Sequence, residues 1–189
     1  MKLILTRHGQ TVENQNRIVQ GHLPGKLSEK GKQQAKKLAL RLKDEKISAI
    51  YSSDLKRAAD TAKEIAKYHK NAGFFLVKEL RERHHGKYDG KKANEVKWGE
   101  NTDEFEKLSD MKKRAKKIID EAYKKYSDST VVFVGHSAIN RVIIRIMEGK
   151  DFDEIENMER QRNTAVSIFE IKEDNKHIIH LMNCTKHLD

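Results

Sequence analysis

Apolar residues recur along the chain in two alternating rhythms. Leu3-Ile4-Leu5 is a short unbroken run of the kind a buried strand carries. Ala35, Leu38, Ala39 and Leu42 then fall at helical spacing behind Ser28, a residue suited to cap a helix start. The unit recurs in kind. Ala49-Ile50-Tyr51 predicts a strand closed by Ser52-Ser53-Asp54, and Leu55, Ala58, Ala59, Ala62, Ile65 and Ala66 predict a second helix. From Leu80 to Asn101 the pattern is irregular and punctuated by glycine, which predicts a cap-like surface insertion over about 80–110. Met111, Ala115, Ile118, Ile119 and Ala122 mark a long third helix. Thr130 to Val134 is entirely β-branched or aromatic and reads as a buried strand, followed by a helix through Ile139, Val142, Ile143 and Ile146. Ala165 to Ile171 and His177 to Met182 predict two closing strands around a turn at Asp174-Asn175.

Strands alternating with helices predict an α/β fold, a three-layer sandwich with a mostly parallel central sheet flanked by helices. In such sheets ligands bind outside the carboxyl ends of the strands. With 189 residues and no repeat, low-complexity tract or linker rich in Gly, Ser or Pro, residues 1–189 are expected to form a single domain.

Charge narrows the field. Charged residues make up 36% of the chain against about 25% in ordinary globular proteins, so the surface must be strongly ionic. The formal net charge of +10 invites a nucleic-acid reading, but the lysines interleave with Glu and Asp, as from Glu29 to Lys46. Aromatic residues are only 6%, with no run alternating with basic residues as a stacking groove requires, so nucleic acid is not an expected partner. Attraction to small anions is. The one cysteine, Cys184, rules out an internal disulfide and fits a reducing, cytoplasmic setting. No segment reaches the roughly 18 apolar residues of a membrane span.

Two strand ends carry a histidine: Thr6-Arg7-His8-Gly9 after the first strand, and Gly135-His136-Ser137 after the strand at 130–134. One such histidine is usually a packing residue. Two at equivalent junctions point to a site. Arg7 and Arg57, the latter in the first turn after the second strand, add permanent cations to the same rim, which suits a phosphate dianion because guanidinium can engage two oxygens at once. The same charges disfavour an imidazolium at His8 and leave it nucleophilic.

These blocks resemble the histidine phosphatase superfamily, which includes phosphoglycerate mutases and many small-molecule phosphatases. The resemblance rests on Leu5-Thr6-Arg7-His8-Gly9-Gln10-Thr11, Asn14, Leu27-Ser28-Glu29-Lys30-Gly31, Tyr51-Ser52-Ser53-Asp54-Leu55-Lys56-Arg57-Ala58 and Leu80-Arg81-Glu82, in that order, and spans nearly the whole chain. It implies that His8 is the nucleophile, that Arg7, Arg57, His136 and Asn14 bind the phosphoryl oxygens, and that Glu82 is the general acid, its pKa raised once a phosphate dianion lies beside it. Arg141 matches a family arginine and is expected to give structural support. The family usually has glycine after the second histidine, whereas Ser137 stands here; its backbone amide still donates, while its hydroxyl either crowds the phosphate or adds a donor.

The resemblance implies no metal and no cofactor. His84 and His85 are adjacent on one loop and lack a carboxylate cluster to complete a metal shell. The implied activity is hydrolysis of small phosphorylated metabolites through a phosphohistidine, with a phosphoglycerate mutase as the alternative and an inactive or nucleic-acid-binding relative a more distant one. A mutase needs a lid and cations gripping a substrate carboxylate. Between Gly90 and Met111 the chain offers Lys91, Lys92 and Lys97 but no arginine pair, and Gly86 to Gly90 and Gly99-Glu100-Asn101 look phosphatase-like. Composition and motifs do not fix an oligomeric state.

Overall fold

The computed structural model describes residues 1–98, 103–152, 155–173 and 176–189. The turn expected at Asp174-Asn175 and the segment Gly99-Glu100-Asn101 lie outside the described residues. The elements run β1 (Lys2–Arg7), α1 (Val12–Gln15), α2 (Glu29–Leu42), β2 (Ile47–Ser53), α3 (Lys56–Ala66), β3 (Gly73–Val77), α4 (Leu108–Tyr126), β4 (Thr130–Gly135), α5 (Ser137–Glu148), β5 (Val166–Glu170) and β6 (Ile178–Cys184). Short 3₁₀ turns at Lys78–Leu80, Gly86–Tyr88 and Ala93–Glu95 fill the stretch between β3 and α4.

The sheet order is β3-β2-β4-β1-β5-β6. β3, β2, β4 and β1 are mutually parallel, while β5 and β6 add antiparallel strands beside β1. Because strand side chains alternate between faces, Leu3 and Leu5 join one core and Ile4 the other. The first core lies under α4 and α5, with Met111, Ala115, Ile118, Val142 and Ile143 against Val131 and Phe133. The second lies under α2 and α3, with Leu38, Leu42, Ala58, Ala62 and Ile65 against Ile50, Val132 and Val134. Each fully buried Leu, Ile or Phe contributes about 1.5–3 kcal/mol, so this double-sided burial holds the layers together.

Local chemistry sets the helix ends. Ser28 Oγ accepts from the Gly31 amide at 3.1 Å and starts α2 as its sequence position predicts. Gly149, at φ 62°, ends α5 in the left-handed conformation that glycine adopts without strain. β3 was not foreseen. It is an edge strand whose Phe75 stacks on Tyr51 with ring centroids 4.8 Å apart.

Candidate active site

The two strand-end histidines are neighbours because their strands are. β1 and β4 pair in parallel with Arg7 opposite Gly135, so the next residue on each strand is a histidine, and the His8 amide donates to Gly135 O at 3.1 Å. Their ring centroids lie 5.0 Å apart, with the planes tilted by 57°. Gly9 is required here: a Cβ on it would sit 2.5 Å from the carbonyl oxygen of Gly31, where α2 abuts the loop.

Hydrogen bonds define both tautomers. His8 Nδ1 lies 2.7 Å from Gly9 O, and a carbonyl only accepts, so the proton sits on Nδ1 and Nε2 keeps its lone pair. At His136 the roles reverse. Nδ1 accepts from Arg57 Nε at 3.2 Å, placing the proton on Nε2, which is buried without a partner. Burial, followed by the charges of Arg57 and Arg7, pushes His8 well below the usual histidine range. Burial and Arg57 lead for His136 too, with smaller pushes from His8, Arg7 and Arg114. The site therefore holds a neutral histidine with a lone pair on Nε2 beside a neutral N–H donor.

The two arginines are held differently. Arg7 donates Nη1 to Gln161 O at 2.9 Å, and its buried Nε has no partner, so most of its fork is unspent. Gln161 is itself fixed by Asn140 Nδ2 at 2.6 Å, which also donates to Thr6 O at 3.0 Å. Asn163 Nδ2 holds the His8 carbonyl at 2.9 Å. Arg57 is 1% exposed and largely engaged. Besides Nε on His136, its Nη1 donates to Leu23 O and, at 3.4 Å, to Pro24 O, and its Nη2 to Gly21 O at 2.8 Å. Only one of its five N–H groups is left over, so the two-oxygen grip expected from its sequence position is not available in this arrangement. Burial lowers its pKa to about 10, so it stays cationic at neutral pH.

Glu82 follows the fully buried Leu80 into the same space. Its Oε1 accepts from the Arg83 amide at 3.0 Å and from the Ala138 amide, at the start of α5, at 2.9 Å. Both bonds fall on one oxygen and leave Oε2 for a ligand. Burial is the largest single influence and acts to raise the carboxyl, but the Arg83 amide with Arg57, Arg7 and His85 outweighs it and holds Glu82 below its ordinary value. The protein alone thus keeps Glu82 ionised, and the raised value expected in a complex requires a phosphate dianion.

Asn14 caps α1 reciprocally with Thr11, its Oδ1 accepting from the Thr11 amide at 3.1 Å, which leaves its side-chain NH₂ unspent. Ser137 Oγ is buried without a partner. Arg7, His8, Asn14, Arg57, Glu82 and Ser137 all line one cavity of about 380 Å³. His136 does not line it and sits beside His8, its ring tilted against the His8 ring.

The rim holds what sequence reasoning missed. Arg17, Arg83 and Arg160 line the cavity with Trp98 and His85, whereas Lys91, Lys92 and Lys97 do not. Arg83 pairs with Glu156 at 2.8 Å, and Arg141, which also lines the cavity, donates to Ile155 O at 2.7 Å. Arg17 gives one local signal, a φ of 54° unusual for a residue with a side chain. His84 instead accepts from the Gly86 amide at 2.7 Å.

A parallel sheet whose adjacent strand ends present a neutral histidine, a second histidine donor and unspent guanidinium defines an enzyme class, and the sequence agrees. The chain belongs to the histidine phosphatase superfamily (branch 1), whose profile residues 3–185 match. It is 33% identical over 202 residues to phosphoserine phosphatase 1 of Hydrogenobacter thermophilus, covering 100% of this chain and 94% of that protein. It is 30% identical over 204 residues to phosphoglycerate mutase-like protein 4 of Arabidopsis thaliana, covering 100% and 87%. Among solved structures, YhfR of Bacillus stearothermophilus superposes with a TM-score of 0.91 at 25% identity, covering 100% of this chain and 99% of that one.

Proposed function

We propose that this histidine phosphatase hydrolyses small phosphomonoesters through a phosphohistidine on His8. One observation carries it: a histidine with its lone pair on Nε2 lies 5.0 Å, ring to ring, from a histidine whose Nε2–H has no partner among the described residues. His8 Nε2 attacks phosphorus in line, forming the P–N bond as the P–O bond to the leaving group breaks. His136, Arg7, the remaining Arg57 N–H and Asn14 stabilise the equatorial oxygens, with Ser137 as a further donor. Oε2 of protonated Glu82 gives its proton to the leaving oxygen. Water then attacks the phosphohistidine while Glu82 takes back a proton, and release of phosphate restores the lone pair on His8. Arginines supply the positive charge that metal ions provide in other phosphatases, so the reaction is metal-independent. The lone Cys184 supports a cytoplasmic setting.

The rim arginines favour substrates with a carboxylate on the leaving group, as in the phosphoserine of the Hydrogenobacter relative. They also favour the mutase alternative more than the sequence did, because the carboxylate grip sought between Gly90 and Met111 is supplied instead by Arg17 and Arg160. Both functions use His8, so the product decides. Phosphate release from phosphoserine and from phosphoglycerates is expected to exceed isomerisation of phosphoglycerates even with a bisphosphate primer, and primer-dependent isomerisation well above phosphate release would install the mutase. His8→Ala is expected to abolish turnover and the acid-labile, alkali-stable phosphoenzyme; labelling that persists removes His8 from the mechanism.

A further inference from the structure

The general acid is aimed by a peptide plane, and that plane has a holder outside the cavity. The peptide joining Glu82 to Arg83 donates its N–H to Glu82 Oε1 at 3.0 Å, and its carbonyl oxygen lies 2.9 Å from His22 Nε2. A carbonyl only accepts, so His22 donates from Nε2. His22 does not line the cavity. Its own backbone is tied to the same region, since its amide donates to Asp89 Oδ2 at 3.1 Å and Asp89 Oδ1 accepts from the His85 amide at 3.2 Å. Its ring packs edge-on against His84 with centroids 4.8 Å apart. On either side of it, Gly21 and Leu23 accept from Arg57.

From this arrangement we infer that His22 is a positioning residue for Glu82, acting through the carbonyl of the 82–83 peptide. N–H and C=O of one peptide unit point in opposite directions, so fixing the oxygen fixes the direction of the N–H that, together with the Ala138 amide, grips Oε1, and with it the presentation of Oε2. A hydrogen bond at the oxygen also polarises the peptide and strengthens its N–H as a donor. Arg114 Nη2 reaches the same oxygen at a longer 3.2 Å, but it comes from α4 and spends its other donors on Glu79 O, Arg81 O and Glu106. Among the described residues His22 alone joins the Glu82 carbonyl to the loop that Arg57 holds, so acid and oxyanion donors are set against one frame.

The inference rests on Glu82 being the acid, and the test separates the two. His22→Ala, His22→Gln and Glu82→Gln are assayed on phosphoserine, whose alkoxide needs a proton, and on nitrophenyl phosphate, whose leaving group does not, with thermal melts alongside. His22→Ala is expected to lower kcat/KM on phosphoserine by about tenfold to thirtyfold, and to leave kcat/KM on nitrophenyl phosphate within about threefold of wild type. His22→Gln, which places an amide donor near the Nε2 position, is expected to recover most of the loss. In a Glu82→Gln background, His22→Ala should add no further loss. If His22→Ala is unfolded, His22→Phe keeps the ring contact without the donor and carries the same comparison. Equal loss on both substrates, or no loss on either, beside a substrate-selective Glu82→Gln defeats the inference alone. A Glu82→Gln variant whose kcat/KM falls alike on both substrates removes the acid itself, and the inference with it.

Discussion

Arg57→Lys keeps a cation and removes a fork, which separates charge from geometry at the most heavily engaged side chain in the site. Four acceptors would lose a side-chain donor: His136 Nδ1 and the carbonyls of Gly21, Leu23 and Pro24, of which Pro24 O keeps the Arg57 backbone amide at 3.3 Å. A lysine has three donors on one atom and cannot reach all four. Each buried acceptor left unpaired costs about 1–3 kcal/mol, and with water reaching some of the loop, a net destabilisation of about 2–4 kcal/mol is expected. The chemical loss has a separate origin. Without Arg57 Nε, nothing keeps the proton of His136 on Nε2, and the tautomer with its proton on Nδ1 presents a lone pair to the phosphoryl oxygens instead of a donor. Removing one preorganised donor of this kind costs about 10² to 10³ in kcat. Urea denaturation measures the first effect, and kcat/KM on nitrophenyl phosphate, which covers only the steps through release of a leaving group that needs no proton, measures the second without involving Glu82. Nitrogen NMR of the His136 ring reports the tautomer directly. A variant within about threefold of wild type that keeps the Nε2–H tautomer would refute the assignment of Arg57 as the holder of His136.

Three other outcomes follow from the same geometry. The folded state holds His8 and His136 unprotonated while the unfolded chain protonates them near pH 6.5, so the unfolded state binds more protons as pH falls. Stability should be flat just above pH 6.5 and decline below it by up to about 1.4 kcal/mol per pH unit for each histidine, and denaturant midpoints of His136→Gln should show a shallower decline. Glu82→Gln retains an acceptor for the Arg83 and Ala138 amides, so it should fold normally yet lose about 10² to 10⁴ on phosphoserine; an unaltered rate would place the acid elsewhere. Asn140→Ala strips a fully buried amide from Thr6 O and Gln161 Oε1 and should cost about 2–4 kcal/mol in urea while also loosening Arg7, read as a raised KM.

Periodicity made the layers legible. The apolar stripe Ala35, Leu38, Ala39 and Leu42 is buried as its spacing requires, and the strand at 130–134 is among the most enclosed in the sheet. β3 escaped because its solvent-facing positions, Phe74 and Leu76, are themselves apolar, so the alternation that reveals an edge strand is absent. On α5 the stripe read through Ile146 turns slightly, and Met147 takes the deeper position. The site was legible where a residue's placement follows from its strand end, as for His8 and His136. It was not legible where the role depends on what a side chain already touches. Sequence marks Arg57 as a phosphate ligand, but the carbonyls of residues 21–24 claim most of its donors. The rim arginines come from positions 17, 83 and 160, distant in the chain, and no local spacing records their convergence.

The pairing of β1 with β4 works as a ruler. Neighbouring strands lie about 4.8 Å apart whatever side chains they carry, and the 5.0 Å between the two imidazoles is that pitch carried one residue past the ladder. The two imidazoles thus inherit their separation from backbone hydrogen bonding. The spacing should therefore survive changes of packing on either face of the sheet that leave the ladder intact, and it should fail on a change of count. One residue inserted into β4 would carry His136 about 3.3 Å along the strand and turn it to the opposite face, with no mutation at any residue that touches substrate.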